Sequence, residues 1–85
     1  MKQNNYPNFL DVHNLTLDDA ITVIKKAVIF SYENHISVLN INHGFNKGNK
    51  IKSWCRNNLK EMKQIEKIDS GENEGITKIY LKFKI

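Results

Sequence analysis

From Phe9 to His13 the chain alternates, with Leu10 and Val12 on one side and Phe9, Asp11 and His13 on the other. A period of two is that of a strand, and it puts Asp11 and His13 on one face about 6.6 Å apart. The rhythm then changes. Leu17, Ala20, Ile21, Ile24, Ala27, Val28 and Ser31 recur at helical spacing, opposite Asp18, Thr22, Lys25 and Glu33, which is the stripe of a helix that packs on a sheet. Thr16, with Asp19 three residues on, makes a capping-box arrangement with Asp in place of Glu or Gln, so the helix is expected to start at Leu17. Asn34-His35 breaks the pattern, and His35 reads as a solvated connector. Residues 36–42 then form a second strand running directly into His43-Gly44.

A second helix is expected from about Asn49, with Ile51, Trp54, Cys55, Leu59 and Met62 on its apolar face and Trp54 and Cys55 as core. Residues 64–68 and 76–85 read as two further strands flanking the five-residue loop 71–75, a length suited to a hairpin. In the last strand Ile79, Leu81, Phe83 and Ile85 are expected to be buried, and Lys78, Tyr80, Lys82 and Lys84 to be wet. The order βαβαββ predicts an α/β two-layer sandwich: one four-stranded mixed sheet with two helices on one face. At 85 residues the chain is expected to be one domain, with a core over about 8–85 and a short polar arm over 1–7. A strand, a helix and a strand in that order pair in parallel, so both strands point their C-terminal ends the same way. That brings Asp11, His13 and His43 to one spot, at the crevice where open α/β sheets bind ligands.

Charge sharpens the picture. The net charge is +4, but residues 1–46 hold Lys2, Lys25 and Lys26 against Asp11, Asp18, Asp19 and Glu33, a balance of −1. The excess therefore lies in the second half, where Lys47, Lys50, Lys52, Arg56 and Lys60 follow one another with no acid among them. Such a cluster beside a candidate site favours a polyanion as partner; the equal alternative is a solvated helix face. No apolar run reaches the roughly 20 residues of a membrane span, and the polar start lacks the apolar stretch of a signal peptide. The lone Cys55 makes no internal disulfide and excludes a zinc finger, so a cytoplasmic location is expected. The loop from Gly44 to Lys50 lacks the spacing and the Lys-Ser/Thr pair of a nucleoside-triphosphate loop.

Leu10-Asp11-Val12-His13-Asn14, followed by Leu15-Thr16-Leu17-Asp18-Asp19-Ala20, and His43-Gly44-Phe45-Asn46-Lys47-Gly48, followed by Ile51-Lys52, resemble the two motifs of the small MutS-related (Smr) domain family. The first motif of that family reads L-D-x-H-G, then L-x-x-x-E-A. The second is H-G-x-G or a form with one more loop residue. Asn14 stands for a glycine, Asp19 for a glutamate and Asn46 for the second glycine. Asn, like Gly, takes positive φ readily, so the loop shape can survive. The resemblance covers almost the whole chain. It implies a fold similar to the C-terminal domain of translation initiation factor three, with strand order 1-2-4-3 and the fourth strand antiparallel to the rest. It also implies binding to DNA or RNA and, in several relatives, nicking endonuclease activity.

Phosphodiester cleavage needs an activated nucleophile, a proton donor for the leaving oxygen and positive charge on the phosphate. Asp11, His13 and His43 are the candidate catalytic residues, with Asp11 orienting His13 or gathering a divalent metal such as Mg or Mn. Gly44, Phe45, Asn46, Lys47, Gly48, Lys50, Lys52 and Arg56 are the candidate nucleic-acid contacts. The glycine loop feeds a helix N-terminus, whose free N–H groups attract phosphate oxygens, and Phe45 either stacks on a base or tucks against the helix. Three function classes follow: a nicking endonuclease, a nucleic-acid-binding module without turnover, and a protein-interaction domain.

Overall fold

A computed structural model describes residues 9–44, 50–71 and 73–84. Its elements are β1 (Phe9–Asp11), α1 (Leu17–Glu33), β2 (Val38–Asn42), α2 (Lys50–Asn58) with a 3-10 turn over Leu59–Glu61, β3 (Ile65–Ser70) and β4 (Ile76–Leu81). They form one four-stranded sheet in the order β1-β2-β4-β3. β1 pairs with β2 in parallel, and β4 runs antiparallel to both of its neighbours. The predicted order, the mixed sheet and the central place of the last strand are all present. No helix among the described residues is long and apolar enough to cross a membrane.

The core lies between the sheet and the helices. Leu10, Leu39, Ile41, Ile79 and Leu81 point from the strands onto Ala20, Ile24, Ala27 and Val28 of α1 and Cys55 of α2, all buried. Helix α1 starts where the capping residues put it: the Thr16 hydroxyl accepts a hydrogen bond from the Asp19 N–H at 3.2 Å. It ends on Asn34, whose side chain donates to the Phe30 carbonyl at 2.8 Å. His35 then takes a left-handed φ of 61°, so that Ile36 N–H reaches back to the Ser31 carbonyl at 2.8 Å, the wrap that closes helices when the residue past the cap turns left-handed.

Strand lengths depart from the sequence pattern. Phe83 is 80% exposed rather than buried, because β4 loses both partners at once. Tyr80 faces Val38, the first residue of β2, and Leu81 faces Ile65, the first residue of β3. Leu81 N–H still reaches the Ser37 carbonyl and Lys82 N–H the Gln64 carbonyl, both at 2.9 Å, but among the described residues no ladder beyond these holds Phe83 against the core, and its ring lies 5.6 Å from that of His35 instead. Strand β1 is also shorter than its alternation. After Val12 donates to the Asn42 carbonyl, Leu15 N–H turns back onto the Val12 carbonyl, so His13 sits in a turn. In β3 the pairing shifts between Ile65 and Lys67, leaving Glu66 as an extra residue. Ile85 and the arm lie outside the described residues.

Candidate functional site

The parallel pairing of β1 with β2 sets Asp11 directly opposite Asn42, and the two motifs leave the sheet side by side. Asp11 Oδ1 accepts from His13 Nδ1 at 2.5 Å, from the His13 backbone N–H at 3.2 Å and from Asn42 Nδ2 at 3.4 Å. A carboxylate accepts only, so Nδ1 carries a proton, and Nε2 is without a partner among the described residues. Both side chains remain open, 44% exposed for His13 and 48% for Asp11. Partial burial disfavours the Asp11 charge, but the hydrogen bonds from the His13 ring and backbone and the nearby ring charge outweigh it, and the carboxyl is held below its ordinary value.

His43 occupies the opposite environment. It is 5% exposed; its Nε2 lies 2.7 Å from Thr77 Oγ1 and its Nδ1 lies 3.3 Å from the Gly44 carbonyl. The carbonyl accepts only, so Nδ1 is the protonated nitrogen and Nε2 accepts from the Thr77 hydroxyl. The Thr77 oxygen in turn accepts from Arg56 Nε at 3.3 Å. Burial pushes the His43 imidazole toward the neutral form; the Gly44 carbonyl, next in size, opposes it, the charges of Arg56 and Lys52 then reinforce it, and Glu74 opposes it least.

The loop begins on a glycine for a geometric reason. Gly44 has φ +78°, and a Cβ there would sit 3.1 Å from His13 Cβ, so a side chain would be both strained and crowded. Its N–H lies 3.2 Å from Asn42 Oδ1 and 3.1 Å from the Gly75 carbonyl, which also accepts from His43 N–H at 2.9 Å. Asn42 thereby links the start of this loop to Asp11. His13, Thr16, Asp18, His43, Lys50 and Lys52 border a cleft of about 520 Å3.

A family model described as the Smr domain matches residues 10–82. The chain belongs to the Smr domain family. The fold is similar to that in the crystal structure of the Smr domain of Thermus thermophilus MutS2, with a TM-score of 0.82 at 20% identity, covering 88% of this chain and 98% of that one. No curated protein matches the chain in sequence.

In this Smr domain the predicted residues divide. Asp11 and His13 are in contact, His13 Cβ packs at Gly44, and His43 borders the same cleft from below the surface. Lys50 is exposed at the cleft. Lys52 is engaged, its Nζ 2.5 Å from Glu74 Oε1, an ion pair that lowers the Glu74 carboxyl. Arg56 points inward at Thr77, and its Nη2 is buried without a partner among the described residues. Phe45, Asn46, Lys47 and Gly48 lie outside the described residues. The Cys55 thiol is fully buried and pushed up to about 12 by that burial, which leaves it protonated and inert.

Sequence reasoning passed over Thr77, Asn42 and Glu74. Thr77 carried a signal: it is the polar member of an inward-facing run with Ile79 and Leu81, and a buried hydroxyl at such a position needs a partner. Asp11 is the carboxylate a divalent ion would meet. Mg2+ commonly takes one or two protein carboxylates and completes its shell with water and phosphate. Among the described residues no three His, Cys, Asp or Glu groups gather to hold an ion by themselves, so the donor set suits an ion shared with a bound phosphate.

Proposed function

We propose that this Smr domain binds the sugar-phosphate backbone of DNA or RNA at the end of its sheet and nicks it by phosphodiester hydrolysis. The contact between Asp11 and His13 Nδ1, 2.5 Å long on an open cleft wall, carries the reading. It fixes the imidazole tautomer and stabilises the imidazolium, as a carboxylate does for a catalytic base. His13 Nε2 takes a proton from the attacking water as its oxygen bonds to phosphorus. The bond to the leaving oxygen breaks, and the imidazolium or solvent returns a proton to that oxygen. Lys50, with Lys47 as the expected neighbour, offsets the charge that grows on the phosphate. His43 acts beneath, holding the first loop residue through the Gly44 carbonyl and through Thr77. Asp11 would hold a divalent ion such as Mg or Mn, which would supply further positive charge to the reaction. The cytoplasmic setting expected from cysteine usage belongs to the same proposal.

A binding module without turnover is the second reading, favoured by the closure of His43 Nε2 onto the Thr77 hydroxyl, which engages one of the two candidate proton carriers. The deciding experiment is a nicking assay on supercoiled plasmid and structured RNA, with and without divalent metal, comparing wild type with Asp11→Asn. The proposal expects binding to persist in the variant and the rate to fall strongly. Equal slow rates at equal binding would leave a binding module.

A further inference from the structure

The sheet has a second face, and among the described residues no helix covers it. Thr77, Ile79 and Leu81 of β4 turn into the core, so Lys78 and Tyr80 project from the opposite side. The register assembles their neighbours: Val38, Tyr80 and Lys67 form one row across β2, β4 and β3, and Phe9, Asn40, Lys78 and Asp69 form the next. Phe9 is 47% exposed on this face. Asp11 follows two residues on and shares it, so the open face ends at the carboxylate that contacts His13 of the candidate cleft.

The Tyr80 ring is flanked by two ammonium groups, Lys67 Nζ at 4.9 Å and Lys78 Nζ at 6.0 Å from its centroid. Among the described residues neither lysine has a carboxylate within ion-pair distance. Asp69, the cross-strand neighbour of Lys78, accepts instead from Ser70 N–H at 2.9 Å. A hollow of about 410 Å3 lies beside the ring, lined by Val38, Glu66, Lys67 and Tyr80. Two aromatic side chains on one sheet surface, one of them carrying two cations that have no carboxylate partner among the described residues, match the chemistry of unpaired bases and the phosphates between them. A duplex does not fit, because its bases are stacked on one another and a flat sheet cannot reach their faces.

We infer that the open face of the sheet, through Tyr80, Phe9, Lys67 and Lys78, binds a single-stranded segment of nucleic acid and leads its backbone to Asp11 and His13. This rests on the reading of the domain as acting on nucleic acid, and it adds the substrate class: a strand that is unpaired next to the cleavage point.

The test is equilibrium binding of matched single-stranded and duplex oligonucleotides, each as DNA and as RNA, to wild type, Tyr80→Leu, Tyr80→Phe, Phe9→Leu and the double variant Lys67→Gln, Lys78→Gln. Tyr80→Leu keeps an apolar group and removes the π face. It should weaken single-strand binding about tenfold in whichever of DNA or RNA wild type prefers. Tyr80→Phe should bind as wild type does, and duplex affinity should stay within about twofold throughout, since stacking on unpaired bases is absent there. The double lysine variant should flatten the salt dependence of single-strand binding. Unchanged single-strand affinity in both Tyr80→Leu and Phe9→Leu overturns the inference while wild-type binding stands. Absence of wild-type binding to every oligonucleotide overturns the nucleic-acid reading itself. If Tyr80→Leu does not fold, Phe9→Leu and the lysine variant, at surface positions, decide.

Discussion

His13 and His43 follow the two parallel strands at the same end of one sheet, yet His13 keeps 44% of its side-chain surface in solvent while His43 is 5% exposed. Each ring is held through Nδ1, one by a carboxylate and the other by a backbone carbonyl. What differs is the second nitrogen. Nε2 of His13 is open to the cleft, whereas Nε2 of His43 is closed by the Thr77 hydroxyl. Chemistry at a histidine requires an accessible nitrogen as well as an orienting partner, so the pair teaches that proximity to a cleft does not make two like residues equivalent: in the proposed function His13 exchanges protons and His43 holds the loop.

Removing each ring separates the roles. His13→Ala should lower nicking by about 10²- to 10⁴-fold, the usual worth of a general base, while thermal unfolding shifts by no more than a surface substitution does, about 0.5 kcal/mol. A nicking rate that survives in His13→Ala would break the comparison at its active end.

Thr77→Val sharpens the buried end. It keeps the side-chain shape and deletes the hydroxyl, leaving His43 Nε2 and Arg56 Nε without their partner, and should cost about 1–3 kcal/mol in denaturant unfolding. Nucleic-acid affinity should fall less than stability does. A variant as stable as wild type would mean that His43 is not held through this hydroxyl.

Gly44→Ala tests the hinge between the two histidines. Left-handed backbone costs an alanine about 1–2 kcal/mol, and its methyl would meet His13 Cβ at 3.1 Å. Unfolding should therefore come earlier and the nicking rate should drop together with it, because the residue displaced is His13.

The smallest effects are in pH. The His43 pKa is lowered from 6.5, so below that value the unfolded chain takes up the proton first. Stability is complete above pH 6.5 and declines as the pH falls through the interval below it; His43→Gln should flatten that limb. Asp11 is lowered from 3.8 and behaves alike in a separate window: its contribution is complete above 3.8 and lost as the pH falls through its folded value, a limb that Asp11→Asn should remove. Denaturant midpoints followed from pH 8 to pH 3 would resolve both, the two windows lying about 6.5 and below and about 3.8 and below.

Much of this was legible in the residues because the physics was local. The Thr16 cap, the α1 stripe and the alternation through Val12 each predict their element from neighbours in sequence, and strand, helix and strand then bring Asp11 to His13 and His43. The unreadable parts depend on partners far along the chain. Alternation continues through Phe83, but a strand ends where its neighbours end, at Val38 and Ile65. Glu66 interrupts the β3 pattern because the ladder shifts there. Arg56 and Lys52 read as nucleic-acid contacts on a basic stretch, with a solvated helix face as the alternative, and only the β4 hairpin, with Glu74 and Thr77, draws them inward.

The hairpin has a bearing on how the chain tolerates change in length. The Gly75 carbonyl receives the backbone of both His43 and Gly44, so the tip of a turn remote in sequence is fastened to the second motif. Asn73 Oδ1 accepts from Gly75 N–H at 2.8 Å, and Ile76 N–H donates to the Asn73 carbonyl at 3.1 Å, which leaves no slack after Asn73. One residue inserted after Asn73 would carry the fastening away from the motif and loosen a site it never touches, so a lengthened turn, a cleavable tag or new chain ends placed there would be felt at His43 and Gly44.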